Sequence, residues 1–306
     1  MQQVTSAPSI VRTKGPLVWL DMDQKELDDA YDQSKYAFNQ EQLGRRRALL
    51  SELARQRLGR PQRFAYGAAP IEGLDLYPAR QPNAPVVVFT HGGAWRHGVA
   101  RDNAYAAEMF VNAGAHYIAL DFSSVVEVGG DLMVLADQVC RAMAWVYDNA
   151  ASFGGDRERI YAVGHSSGAH LNGVLLTTDW SRYGLPANII KAGLCCSGMY
   201  DLKPVRLSAR STYVAFTDEI EEELSAQRHI DRLDCPIIVA HGTLETPEFQ
   251  RQARDFAAAV KAAGKPVRFI VAEAYNHFEM SEMLGSPYSL LGHELLRLTG
   301  LSPPAS

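Results

Sequence analysis

The chain predicts an α/β architecture, a mainly parallel, twisted sheet with helices on both of its faces. Three observations carry this expectation. Short continuous apolar runs rich in β-branched residues, Val86-Val87-Val88-Phe89 foremost, are what strands buried on both faces require. Segments with helical periodicity separate these runs, and such alternation brings successive strands into parallel order. One strand-like run, Ile160-Tyr161-Ala162-Val163, stops at Gly164-His165-Ser166-Ser167-Gly168 and continues as a helical segment.

In chain order, residues 1–15 are polar and read as loose. Residues 23–58 carry helical periodicity through Leu27, Tyr31, Leu43, Leu49, Leu50, Leu53 and Leu58, with Gly44 as the expected break between two helices. Short strands are expected at 63–66 and 74–77 around turn residues 67–73, and a loop at 82–85. The strand 86–89 follows, then a helix over 102–112, a strand at 117–120, and a helix over 131–151. After the strand 160–163 and the helix 169–177 come strands at 189–196 and 236–240. A helix over 247–263, a last strand at 267–271 and a terminal helix over 287–298 complete the series. We divide the chain into an N-terminal helical extension, 1–60, and one α/β domain, 61–306. The segment 199–232 interrupts the alternation as a lid-like insertion, and its acidic run 219–223 reads as a solvated helix face.

The 306 residues suffice for one large domain, and 47% apolar with 21% charged residues is ordinary for a globular protein. A net charge of −5 and a pI near 6.0 give no basis for nucleic acid or an anionic membrane as partner. No run approaches the ~20 apolar residues of a membrane span. Residues 1–12 contain no apolar core of a signal peptide, so the expected location is the cytoplasm, with Cys140, Cys195, Cys196 and Cys235 reduced. Those cysteines have no metal-ligand spacing, and no metal is expected.

The G-x-S-x-G spacing has a mechanical reason. A serine on a tight strand-to-helix turn is held in a strained conformation, and the residues two before and two after it come close together, which removes any room for a Cβ. Only Ser166 fits this frame. A serine hydroxyl needs a base to take its proton and a carboxylate to orient that base. With such a turn the chain order is serine, acid, histidine. His91, His97, His116, His165 and His170 precede Ser166 or lie beside it. His229 is in the insertion, His293 in the terminal helix, and His241 at a strand end where the acid belongs. His277, just after the last strand, is the expected base. Glu245 follows the penultimate strand and is the favoured acid, with Asp201 after the preceding strand as the alternative. The chain lacks no member of the set, which disfavours a catalytically silent binding protein.

Attack on a carbonyl creates an alkoxide, and preset backbone N–H groups supply much of its stabilisation. The N–H of Ser167 is one expected donor. Those of Gly93 and Ala94 in His91-Gly92-Gly93-Ala94-Trp95 are the others, with Gly92 shaping the turn. Trp95, Phe122, Met199 and Tyr200 are expected as pocket walls around a small-molecule substrate.

These motifs together resemble one family. His91-Gly92-Gly93-Ala94-Trp95 matches an HGGxW motif, and residues 164–171 resemble GHSAGAHL. Residues 246–252 resemble the DSPEFxRQ segment that begins with the family's catalytic acid, and residues 27–34 are similar to its N-terminal segment. The chain resembles kynurenine formamidase (arylformamidase)-like α/β-hydrolases over roughly residues 25–300. The resemblance implies an α/β-hydrolase fold, Ser166 as nucleophile, His277 as base, no cofactor, and is consistent with a homodimer. Two departures stand out: Glu245 replaces the family's Asp, and Phe122-Ser123-Ser124-Val125 replaces a Tyr-Arg-Leu-like run. The expected activity is cleavage of a small amide or formamide, with a carboxylesterase or deacetylase acting on small esters as the alternative.

Overall fold

The computed structural model describes residues 13–302, so most of the loose segment expected at 1–15 lies outside the described residues. The elements in order are β1 (Leu17–Trp19), β2 (Met22–Asp23), α1 (Gln24–Ala30), α2 (Gln40–Leu58), β3 (Gln62–Ala65), β4 (Gly73–Tyr77) and β5 (Ala84–Thr90). Then come α3 (Ala107–Asn112), β6 (His116–Leu120), α4 (Leu132–Asn149), β7 (Gly155–His165), α5 (Ser167–Leu176) and β8 (Ala192–Cys196). The chain continues through α6 (Leu202–Leu207), α7 (Asp218–Glu223), β9 (Ile237–Gly242), α8 (Pro247–Ala262), β10 (Val267–Ala272), α9 (His277–Glu282) and α10 (Leu290–Leu298).

Eight strands form one sheet in the order β10-β9-β8-β7-β5-β6-β4-β3. The pairs from β10 through β6 are parallel, while β4 runs antiparallel to both β6 and β3. The run Val86 to Phe89 shows why a central strand is apolar throughout. Val86 and Val88 face a core shared with α4, α5 and α8, whereas Val87 and Phe89 face a second core shared with α3 and α10. Successive side chains alternate between faces, so a strand covered on both sides has no position for a polar residue.

Several local expectations are corrected. Gly44 lies inside α2, and the break between the first two helices falls at residues 31–39 instead. Nothing within 4 Å would oppose a Cβ at Gly44, and one glycine costs a 19-residue helix only ~1 kcal/mol. The stretch 100–112 is a 3₁₀ turn (Ala100–Ala106) followed by α3. The strand expected at 189–196 begins only at Ala192. The acidic run is not wholly solvated: Glu221 is buried and paired with Arg206 and Arg228. The hairpin β1–β2 and the helix α9 were not expected, although Asn276-x-x-Glu279 is a capping box and marks the start of α9.

The core beside α8 rests on large aromatics, with Tyr200 stacked on Phe256 at 4.3 Å and both fully buried. Phe256→Ala should destabilise the protein by about 3–5 kcal/mol. Urea unfolding followed by circular dichroism measures this directly, and a loss below about 1 kcal/mol would contradict the packing.

Candidate active site

Five adjacent parallel strands, β5, β7, β8, β9 and β10, deliver the site residues from their carboxyl ends, the position where open α/β sheets gather ligands. Ser166 sits between β7 and α5 with φ 59° and ψ −127°, a conformation that costs a non-glycine residue roughly 1–3 kcal/mol. It holds because the turn has no room to relax. A Cβ on Gly164 would lie 2.3 Å from the Gly168 carbonyl oxygen, and one on Gly168 2.1 Å from that of Thr90. The Ser166 N–H donates to the Cys196 carbonyl at 2.9 Å, tying the turn to β8.

His277 is the first residue of α9, not part of an open loop, so the capping box sets its backbone. Its Nε2 lies 2.8 Å from Ser166 Oγ and its Nδ1 2.8 Å from Glu245 Oε2. A carboxylate only accepts, so Nδ1 carries the proton of the neutral ring and Nε2 accepts from the serine hydroxyl. Glu245 is 1% exposed, and its other oxygen accepts from the Ser197 hydroxyl at 2.6 Å and from the Gly242 N–H at 2.7 Å. The alternative acid, Asp201, stands at the start of α6. It accepts from the Lys203 N–H and pairs with Arg228, with no contact to His277.

The loop after β5 reaches this centre from the other side. Gly93 and Ala94 line the same cavity as Ser166, with φ of 122° and 54°. Among the described residues their N–H groups donate to no protein acceptor. The Trp95 N–H donates to Ser167 Oγ at 3.1 Å, so the side chain of Ser167 fixes this loop against the turn.

Trp95, Phe122, Met199 and Tyr200 are not pocket walls. All four belong to the core under the sheet, and none lines the cavity. Their apolar bulk is drawn inward: Phe122 stacks on His91 at 4.2 Å, and the Trp95 indole N–H donates to His170 Nδ1 at 3.2 Å. The cavity, about 890 Å³, is walled instead by the N-terminal segment (Tyr31, Gln40, Arg47), by Phe89, Arg96 and Tyr105, and by Arg210 and Tyr213 of the insertion.

Several supporting residues escaped the sequence reading. His165 is buried, and its Nε2–H donates to the His277 carbonyl at 2.9 Å. Burial, then the neighbouring His277 and Arg47, hold His165 neutral, well below the usual histidine range. Asn39 makes no cap for α2. Its amide donates to Glu279 at 2.9 Å and its carbonyl accepts from Asn276 at 2.8 Å, which braces the start of α9 from over 200 residues away. Only the capping box had a sequence signal; the long-range partners had none.

The comparisons with known proteins are consistent with this geometry. The BD-FAE family model matches residues 74–185, from β4 past the end of α5. A crystal structure of esterase LipW from Mycobacterium marinum superposes with a TM-score of 0.68, covering 88% of this chain and 89% of that one at 17% identity. The fold is therefore that of the α/β-hydrolases. A kynurenine formamidase of Danio rerio is 30% identical over 297 residues, 93% of this chain and 99% of that protein. The chain belongs to the kynurenine formamidase family and is a hydrolase acting on amide or ester bonds. Esterase LipC of Mycobacterium tuberculosis is 27% identical over 67% of this chain and 56% of its own length. Among the described residues no helix is long and apolar enough to cross a membrane.

Two measurements probe this scaffold. Asn39→Ala removes two hydrogen bonds worth about 1 kcal/mol each and should lower kcat roughly tenfold with little change in KM. A change confined to KM would show that Asn39 does not act through His277. The buried His170, whose Nε2–H donates to the Leu224 carbonyl, titrates at about 4 instead of 6.5, because burial disfavours its charge. Between these values the unfolded chain binds the extra proton, so stability should fall as pH drops from 6.5 towards about 4. Unfolding free energies measured across that window should slope less in His170→Gln.

Proposed function

We propose that the chain hydrolyses a small amide, a formamide foremost, through an acyl-enzyme on Ser166. The observation that carries this reading is one imidazole, 4% exposed, hydrogen-bonded at 2.8 Å on one nitrogen to a strained serine and on the other to a buried carboxylate. His277 Nε2 takes the Ser166 proton as Oγ bonds to the carbonyl carbon, and Glu245 stabilises the resulting imidazolium. The N–H groups of Gly93, Ala94 and Ser167 receive the developing oxyanion, each donor worth about 2.7–4 kcal/mol. The C–N bond then breaks, the departing amine takes the proton from His277, and the acyl group remains on Ser166 as an ester. Water, deprotonated by His277, attacks that ester and releases the carboxylic acid, formate where the acyl group is formyl.

The kynurenine formamidase relatives favour the formamide, and the esterase relatives favour a second reading in which the same machinery cleaves small esters. We read the insertion 199–232 as a partial cover, since Arg210 and Tyr213 belong to it and line the cavity. Four free, buried cysteines suit a reducing compartment, and we place the enzyme in the cytoplasm.

Ser166→Ala should lower turnover by about 10⁶, and Glu245→Gln by about 10⁴, whereas Asp201→Asn should leave it within a few fold. Activity of Ser166→Ala within tenfold of the native enzyme removes the serine from the mechanism. Rates on an N-formyl aryl amine and on short p-nitrophenyl esters separate the two readings. Turnover of the esters with an inert formamide would decide for the esterase.

A further inference from the structure

Two motif residues take no part in the proposed bond-making steps: Trp95, after the glycine loop, and His170, one turn beyond Ser166 on α5. Both are fully buried, and each is the other's hydrogen-bond partner. A buried indole N–H has no access to water and needs an acceptor from the protein. His170 Nδ1 supplies it at 3.2 Å, with the two rings edge to face at 85°. The other nitrogen, Nε2, lies 3.0 Å from the Leu224 carbonyl, just past α7 in the insertion. A carbonyl only accepts and an indole N–H only donates. One state of the imidazole satisfies both partners, the neutral ring with its proton on Nε2. Burial favours that state.

Trp95 is held in a conformation it would not choose. Its φ is 61°, which a bulky side chain rarely adopts, and Ala94 before it has φ 54°. What fixes the pair is attachment to α5 at two points. The Trp95 N–H donates to Ser167 Oγ at 3.1 Å, and its indole N–H donates to His170, three residues further along the same helix face. One such bond would leave the loop free to turn about it; two set its orientation on the helix. The Val125 N–H closes a further side, donating to the Trp95 carbonyl at 2.8 Å, and the Arg210 guanidinium lies 5.4 Å over the indole. Trp95 and Ser167 are 72 residues apart in the chain, so nothing local aligns the N–H groups of Gly93 and Ala94 with that of Ser167.

We propose that the Trp95 side chain, locked on His170, aligns the Gly93 and Ala94 N–H groups with that of Ser167 on α5. This role rests on the reading of those three groups as the oxyanion donors of a hydrolytic site. Trp95 and His170 are positioning residues, and neither lines the cavity. Leu224 orients the imidazole, so the insertion reaches the donors through His170 as well as covering the site.

Trp95→Phe keeps a ring in the core and removes the N–H. It should lower kcat about ten- to a hundredfold with KM within about twofold, since misplaced donors act on the transition state alone. The substrate is whichever of an N-formyl aryl amine and a short p-nitrophenyl ester the native enzyme turns over. Phenyl trifluoromethyl ketone reads the donors directly. Ser166 Oγ bonds to its carbonyl carbon, the hydroxyl proton passes to His277, and the C=O electron pair becomes an oxyanion. The Ki of this ketone should rise in parallel with the fall in kcat. His170→Asn keeps an acceptor at the place of Nδ1, whereas His170→Gln keeps only a donor at the place of Nε2. The first should retain kcat within about threefold and the second should fall as Trp95→Phe does. That pair decides alone should Trp95→Phe fail to fold. Val146→Ala, a truncation of the same core on α4, loses stability and should leave kcat and Ki unchanged. Native kcat and Ki in Trp95→Phe and His170→Gln, a change confined to KM, equal losses in the two His170 variants, or a like loss in Val146→Ala overturns the role. Labelling of Ser166 by a fluorophosphonate keeps the two readings apart. A labelled enzyme whose variants keep native kcat and Ki sinks the positioning role and leaves the hydrolytic reading intact. A native protein that is neither labelled nor active sinks both.

Discussion

The closeness of α5 to β5 is the constraint on which the rest of the molecule depends. Gly168, in the first turn of α5, presses against the Thr90 and His91 carbonyls, and Gly164, before the turn, against Gly168 itself. With no side chain at either position, strand and helix meet within one residue, and Ser166 has to adopt its positive φ. Its Oγ then lies beyond the carboxyl ends of the strands, where His277, after β10, meets it at 2.8 Å and the Gly93–Ala94 loop after β5 lines the same cavity. A single methyl at Gly168 would push the helix from the sheet and separate these parts.

Backbone strain is concentrated here. Besides Ser166, the non-glycine residues Ala94, Trp95, Ser197 and Ala274 have positive φ, and each lies in one of the loops that build the site. Each such residue costs roughly 1–3 kcal/mol and persists only where neighbours over-determine it. The neighbours are identifiable: Trp95 O accepts from the Val125 N–H at 2.8 Å, the Ser197 N–H donates to Ala240 O at 2.7 Å, and the Ala274 N–H donates to Thr243 Oγ1 at 2.8 Å. The strained loops fix the backbone of Gly93 and Ala94, the Ser197 hydroxyl that donates to Glu245, and the approach to His277, the groups to which the proposed mechanism gives the oxyanion, the acid and the base. That preorganisation is how a hydrolase avoids reorganising polar groups during the reaction.

The N-terminal segment is more than an appendage to the sheet. Tyr31 donates to Glu248 at 3.0 Å, Gln33 exchanges hydrogen bonds with Thr246, and Asn39 holds the cap of α9. These contacts reach both the loop of Glu245 and the helix of His277, while Tyr31 and Arg47 wall the cavity. The same segment thus walls the cavity and braces the loop of Glu245 and the start of α9.

Local chemistry made much of this legible in advance. A strand buried on both faces must be apolar at every position, so β5, β6 and the inner part of β7 could be read from residue type alone. The turn at Ser166, the glycine loop after β5 and the order Ser166, Glu245, His277 could be read because spacing along the chain expresses a steric or topological demand. The wall of the cavity could not be read. Trp95, Phe122, Met199 and Tyr200 looked like substrate contacts, yet an aromatic beside a site is drawn to whichever face buries it best, and here that was the core. Asn39, Arg210 and Ser197 act through partners dozens to hundreds of residues away, and only the packing of helices on a finished sheet decides which distant groups meet.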